Sequence, residues 1–299
     1  MKKILALVLA AILLCGSVFA LASCGPKKEY AAVDASDLIK EDFGIAVKKG
    51  SPELLAAVND VVDAWVADGT MTAYLDYYDA LAKYLETGEG TAPSAGNLQT
   101  TWDFGDATEV ITVYTESGFA PFEFLSENGD IIGLDIAIMS QVAVNLGKKI
   151  EIKDIAFDTI PTSVSSATGD AVGAAGLTIN EERAAMVDFS SIYYSSTLVI
   201  VSAKDKGYDS VADLAGLKVG VQEGTSGDLI ITDAAEDAGY SYVTENDDGE
   251  EITVTVKATG ADVKAYKQYA QAFEDLKAGR IDAILMDKLP AQVMLELAK

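Results

Sequence analysis

Histidine is absent from the 299-residue sequence, and cysteine occurs only twice. Without an imidazole base, Ser-His and Cys-His catalysis is excluded, and we expect neither a zinc site nor any other metal or cofactor. Basic residues are also scarce, because 22 Lys and Arg stand against 47 Asp and Glu, for a formal charge of −25. Such an acidic chain repels phosphate backbones, which argues against nucleic-acid binding.

Residues 1–23 have the pattern of a signal peptide. Lysines precede an apolar run, and the run closes on the lipobox-like sequence LASC, which would make Cys24 the lipidated first residue of the mature protein. The alternative is a transmembrane anchor, because the apolar run 4–22 is nearly long enough to cross a bilayer. Small residues before the cysteine favour cleavage. We therefore expect a short leader at 24–29 and an extracytoplasmic protein held to the cell membrane by lipid.

A strand-and-helix pattern at residues 43–70 has no neighbouring strand to pair with. Residues 43–47 form a short apolar run that predicts a strand. Ser51 and Pro52 then suit the start of a helix, and Gly69 suits its end. Because a lone strand leaves its backbone polar groups without partners, its sheet must come from elsewhere in the chain.

Residues 87–106 are rich in Gly, Ser, Thr and Pro and predict a linker. Strand and helix patterns alternate in two series beyond it, which predicts an α/β fold of two lobes, each with a mixed, mostly parallel sheet flanked by helices. The predicted strands are 30–33, 110–115, 150–156, 171–179, 197–202, 218–222 and 280–286. The predicted helices are 74–85, 134–146, 160–167, 181–186, 210–214, 228–237, 262–278 and a last one that runs to Lys299.

Polar residues follow several predicted strands, where ligands bind in open α/β sheets. The stretches are TESGFAPFEF (115–124), AGLTINEER (175–183), GVQEGTSGD (220–228) and AILMD, which ends at Asp287. Each is weak evidence by itself. The Gly-Thr-Ser-Gly turn lacks the GKS/T ending of a P-loop, and Asp287 could simply cap the last helix.

Together these stretches resemble a known family. TESGFAPFEFLSENGDIIGLDIAIM, LTINEERAAMVDFSSIYYSS, DLAGLKVGVQEGTSGD and AFEDLKAGRIDAILMD are similar, in order, to motifs of the polar amino-acid-binding proteins of ABC importers, solute-binding protein family 3. The resemblance covers residues 108–299. It implies a two-lobed periplasmic-binding type II fold with a hinge, a monomer that is not an enzyme, an amino-acid ligand, and ABC permease subunits as partners.

The resemblance also implies how the two charged ends of an amino acid are held. Arg183 would grip the α-carboxylate with its planar guanidinium, and Asp287 would hold the α-ammonium from the other lobe. The residues implied to assist on the carboxylate side are Thr178, Ala175, Gly176, Thr225 and Ser226.

Further positions are implied to recognise the ligand side chain. Phe119 and Phe157 match aromatic positions that sandwich it, and Glu116 and Gln222 match positions that read its tip. A carboxylate at the tip favours lysine, arginine or glutamine, while a serine-like or cystine-like ligand stays open.

The segment FGIAVKKGSPELLAAVNDVVDAWVADGTMTAYLDYY, 43–78, resembles the carboxyl-terminal end of the same family, although here it precedes everything else. We therefore expect a circular permutation in which 87–106 joins the former chain ends, and a decayed tandem copy is the alternative. The first lobe would be 43–201, and the second lobe would combine 30–42 with 202–299.

Other functions on this fold would also fit parts of the pattern. One is an extracellular amino-acid sensor domain. Another is an enzyme similar to cyclohexadienyl dehydratases, which resemble these binding proteins. The lipobox, the Arg183 and Asp287 pair and the lack of histidine argue against the enzyme.

Overall fold

The computed structural model describes residues 28–245 and 249–296. The expected signal peptide, 1–23, and the expected lipid site at Cys24 lie outside these residues. Within the described ranges, every helix is too short or too polar to cross a membrane.

Strands and short helices alternate along most of the chain. The strands are β1 (Tyr30–Asp34), β2 (Glu41–Phe43), β3 (Ala46–Lys48), β4 (Val110–Thr115), β5 (Gly118–Phe119), β6 (Glu123–Leu125), β7 (Ile131–Ile132), β8 (Lys149–Asp154), β9 (Ala171–Gly173), β10 (Val187–Phe189), β11 (Tyr194–Ser196), β12 (Leu198–Ala203), β13 (Lys218–Gln222), β14 (Tyr240–Glu245), β15 (Glu251–Val256), β16 (Asp262–Tyr266) and β17 (Ala283–Asp287). The helices are α1 (Pro52–Asp68), α2 (Thr70–Thr87), α3 (Leu134–Asn145), α4 (Ile160–Ser166), α5 (Glu181–Met186), α6 (Ser226–Ala235), α7 (Tyr269–Lys277) and α8 (Lys288–Glu296), with 3-10 turns at Phe157–Thr159 and Val211–Leu214.

The first lobe is built on a five-stranded sheet in the order β10-β3-β9-β4-β8. Strand β4 runs parallel to both β8 and β9, and β3 and β10 complete the sheet in antiparallel orientation. Val113 of β4 pairs with Ile152 and with Val172, so apolar side chains meet at the centre of the sheet.

The second lobe is built on the sheet β1-β12-β17-β13-β16. Strand β13 lies parallel between β16 and β17, and β12 and β1 add antiparallel strands. Because β12 pairs with β1 and β17, residues 198–201 belong to the second sheet. The lobe boundary that we expected after residue 201 therefore lies before Leu198.

Strands β2 and β11 pair between the two sheets, with Glu41 opposite Ser196 and Phe43 opposite Tyr194. The chain runs from β1 through β2 into β3, and again from β10 through β11 into β12, so this strand pair connects the lobes as a hinge. The strand predicted at 43–47 is in fact two strands, β2 and β3. They are separated at Gly44, whose N–H donates to the Leu177 carbonyl.

The segment that lacked a neighbouring strand finds its sheet in the first lobe. Strand β3 pairs with β9 and β10, and α1 and α2 pack on α3. Val58 and Val62 of α1 are fully buried, and Trp65 stacks on Tyr74 of α2 with ring centroids 4.6 Å apart. Residues 43–87 are therefore part of the first lobe and do not form a separate domain.

Two predicted elements near the carboxyl end differ from the structure. The helix predicted over 262–278 is the strand β16 followed by the shorter helix α7, because residues 262–266 pair with β13 in the second sheet. The strand predicted at 280–286 begins later, at Ala283, and extends to Asp287.

Candidate functional site

The candidate site lies between the lobes, at the carboxyl ends of parallel strands from both sheets. Glu116 directly follows β4, and Thr178 and Arg183 follow β9 in the first lobe. Gln222 ends β13 and Asp287 ends β17 in the second lobe. The structure thus brings the predicted residues of both lobes to one cleft.

Arg183 is held in the first turn of α5 and is only 5% exposed. Its Nη1 donates to the Thr178 carbonyl at 2.8 Å, and its Nη2 donates across the cleft to the Gly224 carbonyl at 3.0 Å. The guanidinium carbon lies 5.3 Å from the centre of the Phe157 ring, within cation–π range. Burial lowers the Arg183 pKa, and the neighbouring Glu41 and Asp287 carboxylates oppose that shift.

Hydroxyl groups from both lobes lie beside this guanidinium. Ser226, the first residue of α6, donates from Oγ to Thr178 Oγ1 at 3.0 Å. Thr225 caps the same helix, because its Oγ1 accepts from the Asp228 N–H at 3.3 Å. The positive end of the α6 dipole therefore faces the cleft, which favours a negatively charged group there.

Asp287 supplies a carboxylate on the second lobe. It is 6% exposed, and its Oδ1 accepts a short hydrogen bond from Ser196 Oγ of the hinge strand β11. Burial raises the pKa of Asp287, whereas the Ser196 hydroxyl and the charge of Arg183 act against that rise. A cation placed beside this carboxylate would stabilise its ionised form.

Glu116 is a buried carboxylate, 3% exposed, on the first lobe. Both of its oxygens accept from amides of the second lobe, Oε2 from Gln222 Nε2 at 2.9 Å and Oε1 from Gln268 Nε2 at 2.7 Å. Burial raises the pKa of Glu116, and these hydrogen bonds lower it. Since both amides are neutral, they leave the negative charge of Glu116 unbalanced.

Aromatic rings line the cleft near Glu116. Phe119 of β5 stacks across the cleft on Tyr269 of α7, with centroids 6.5 Å apart and an interplanar angle of 27°. Phe119 also stacks on Phe122. Phe157 faces the Arg183 guanidinium, so the two phenylalanines expected to act together have different neighbours.

Ala175 and Gly176 form part of the wall of the site, and their assistance to a ligand carboxylate stays a prediction. The Gly176 N–H donates to the buried Asp135 Oδ2 at 3.0 Å, so this donor is already engaged. Gly176 has a φ of 56°, and a Cβ there would lie 2.5 Å from Cε1 of Phe119. Ala175 is buried in an apolar cluster with Phe157.

Residues that the sequence did not indicate also lie in the cleft: Glu41, Ser196, Gln268 and Tyr269. Gln268 and Tyr269 fall inside the stretch interpreted as one long helix, which hid them. Glu41 lies two residues before the apolar run 43–47, and an acidic residue beside a predicted strand is the signal that could have indicated it.

A groove of about 720 Å³ opens beside Thr178 and Ser226, on the hinge side. Its lining includes Glu41, Thr178 and Ser226, together with Tyr240 and Tyr242 of β14. Within residues 28–245 and 249–296, no group of three or more His, Cys, Asp or Glu side chains is arranged to hold a metal ion.

Known proteins resemble this chain in sequence and in fold. The family model "Bacterial extracellular solute-binding proteins, family 3" matches residues 111–279. The arginine-binding extracellular protein ArtP of Bacillus subtilis is 32% identical over 178 residues, which are 60% of this chain and 61% of ArtP. The ABC transporter arginine-binding protein 1 of Escherichia coli is 29% identical over 64% of this chain and 68% of its own length.

A solved structure gives the same result. An ancestral arginine-binding protein bound to arginine superimposes with a TM-score of 0.52 at 36% sequence identity, over 62% of this chain and 74% of that chain. The matched part thus spans about 61–68% of the two relatives' lengths. Since the family model covers more than half of the sequence, this chain belongs to the bacterial extracellular solute-binding proteins, family 3.

Proposed function

We propose that this protein captures an amino acid between its lobes outside the cytoplasm, held to the membrane through Cys24, and delivers it to the permease subunits of an ABC importer. The observation that carries the proposal is the separation of charge across the cleft. Arg183 lies on the first lobe and Asp287 on the second, both nearly buried. An amino-acid zwitterion presents one partner for each, so a single ligand would bridge the lobes.

The ligand class we propose is a cationic amino acid, with arginine as the first candidate. The buried Glu116 carboxylate has neutral amide partners and would gain a charge partner from a guanidinium or ammonium. Phe119 and Tyr269 offer ring faces, which attract cations as well as apolar stems. Arginine appears in the names of both relatives and of the solved structure that this chain resembles.

Binding and closure are coupled in this proposal. Groups of both lobes already meet at Arg183 with Gly224, at Ser226 with Thr178, and at Glu116 with the two glutamines. A ligand that contacts both lobes stabilises the closed form and shifts the population toward it, because its contacts exist only when the lobes are together.

The test is calorimetric titration and thermal shift with arginine, lysine, glutamine, serine and cystine. We expect arginine to bind and to raise Tm by mass action. Arg183→Ala should abolish that shift. Arg280→Ala, which removes the same charge from a side chain that is 60% exposed, should retain it. Glu116→Gln should reduce arginine affinity by about tenfold or more, and glutamine affinity less.

Failure to bind any amino acid would refute the binding function. Full arginine affinity in Arg183→Ala would refute the carboxylate assignment, and an equal loss for arginine and glutamine in Glu116→Gln would refute the cationic ligand class.

A further inference from the structure

Glu41 places a carboxyl group of the protein on the side of the cleft where the ligand α-carboxylate is proposed to bind. It begins the hinge strand β2 and lies opposite Ser196, the residue whose hydroxyl donates to Asp287. Its Oε2 accepts from Thr178 Oγ1 at 3.2 Å, and that hydroxyl accepts from Ser226 Oγ at 3.0 Å. One carboxylate of the hinge is thus linked to hydroxyls of both lobes.

The charges around Glu41 are those that a bound carboxylate would meet. Burial and the nearby Asp287 raise the pKa of Glu41. Hydrogen bonds from Ser226 and Thr178 and the charge of Arg183 lower it, and Tyr240 and Tyr269 lie close enough to sense the same charge. The groups that favour ionised Glu41 are therefore the ones proposed above for the ligand α-carboxylate.

We propose that Glu41 is a built-in competitor for the ligand α-carboxylate, and that it must release the Thr178 and Ser226 hydroxyls before an amino acid binds tightly. This inference rests on the proposed function. The Thr178 hydroxyl has a single proton, and while it donates that proton to Glu41 it cannot donate to a ligand carboxylate. The Glu41 side chain can move into the groove of about 720 Å³, because Glu41 is one of the residues that line this groove on the hinge side.

The groove is polar enough to receive the displaced carboxylate. Its charged lining includes Lys40, Asp42, Glu181, Glu182 and Asp233. Lys40 is the cation among these groups, while the acidic ones limit how favourable the displaced position is. Glu41 would therefore reduce affinity for every ligand that carries a free α-carboxylate, and would leave ligands without one unaffected by this competition.

The test compares arginine with argininamide, in which a neutral amide replaces the carboxylate. Calorimetric titrations use the full chain, the variants Glu41→Ala and Glu41→Gln, and the control Glu127→Gln. Glu127 is an exposed acid outside the groove, so the control removes a carboxylate without changing the groove lining. We expect Kd for arginine to fall about tenfold in Glu41→Ala, to fall less in Glu41→Gln, whose amide oxygen can still accept from Thr178, and to stay unchanged in Glu127→Gln. Kd for argininamide should not fall in any of them.

Each outcome is decisive. Weaker arginine binding in Glu41→Ala would mean that Glu41 contacts the ligand directly, and unchanged binding in Glu41→Ala would mean that it does not compete; either result overturns the inference while the proposed function stands. A gain for arginine and argininamide alike would show a general structural effect and also overturn it. If neither the original chain nor the Glu41 variants bind any amino acid, the proposed function fails together with the inference.

Discussion

Two carboxyl groups are fully buried behind the wall of the cleft. Asp135, in the first turn of α3, accepts from the Gly176 N–H and from the Tyr193 hydroxyl at 2.9 Å. Neither oxygen of Glu123 on β6 has a hydrogen-bond partner among the described residues. Burial raises the pKa of Asp135 to about 7, and burial with the nearby Asp135 raises the pKa of Glu123 well above its ordinary value.

These groups make stability fall as pH rises. The pKa values of Asp135 and Glu123 are higher in the folded chain than in the unfolded chain. Between those two values the folded chain binds more protons than the unfolded chain. The stabilisation that both groups give at low pH is therefore lost as the pH rises through their folded-state pKa values. We expect the free energy of unfolding to be lower at pH 8 than at pH 5.5, and Glu123→Gln to remove much of that difference. Denaturant unfolding at both pH values measures it. The exposed Glu127→Gln serves as control and should keep the original dependence, and an unchanged dependence in Glu123→Gln would contradict the assignment.

At the scale of single elements, helix α1 attaches the leading segment to the first lobe through one face. Val62 is fully buried on that face, while Val66, one turn later, is 51% exposed. We expect Val62→Asp to reduce the free energy of unfolding by about 3 kcal/mol or more, because it buries a polar group without a partner. Val66→Asp should change it by less than about 0.5 kcal/mol. Denaturant unfolding distinguishes the two, and equal effects would mean that α1 does not pack as described.

Helices and strands with a clear local sequence pattern could be predicted from the sequence. Elements whose conformation depends on pairing with a distant strand could not. The helix after Ser51 has a favourable start, apolar spacing and a glycine end, and it is present as α1. Residues 262–266 precede a strongly helical stretch, so only their pairing with β13 makes them a strand. For the same reason the sequence does not place Tyr269 and Gln268 in the candidate site, whereas Arg183 and Asp287 follow strands in recognisable motifs and could be predicted to lie in the cleft.

At the scale of the whole molecule, the circular permutation stays a prediction, and several contacts bear on it. Strand β3 and helices α1 and α2 complete the first lobe from the front of the chain. Helix α8, near the other end, lies against β1 and α2. The described ends of the chain thus belong to neighbouring elements, as a rearranged order of one compact fold requires.

A chain restored to the expected family order tests the permutation. It would run through residues 88–299, then a short Gly-Ser linker, then residues 28–87, with the break placed at the exposed turn after Thr87. Because α8 already contacts β1, the new connection has a short distance to cover. Leu98, Trp102 and Phe104 stay in the chain and keep their packing against the core.

We expect this reordered chain to unfold in one cooperative transition and to bind the same amino acid with similar affinity, because the cleft residues keep their places. Residues 88–299 alone should neither fold cooperatively nor bind, since they lack the hinge strand β2 and the helices on α3. A decayed tandem copy makes the opposite prediction, because the leading segment would then be dispensable. Thermal unfolding and calorimetric titration of both chains decide between them: ligand binding by 88–299 alone, or failure of the reordered chain to fold, would rule out the permutation.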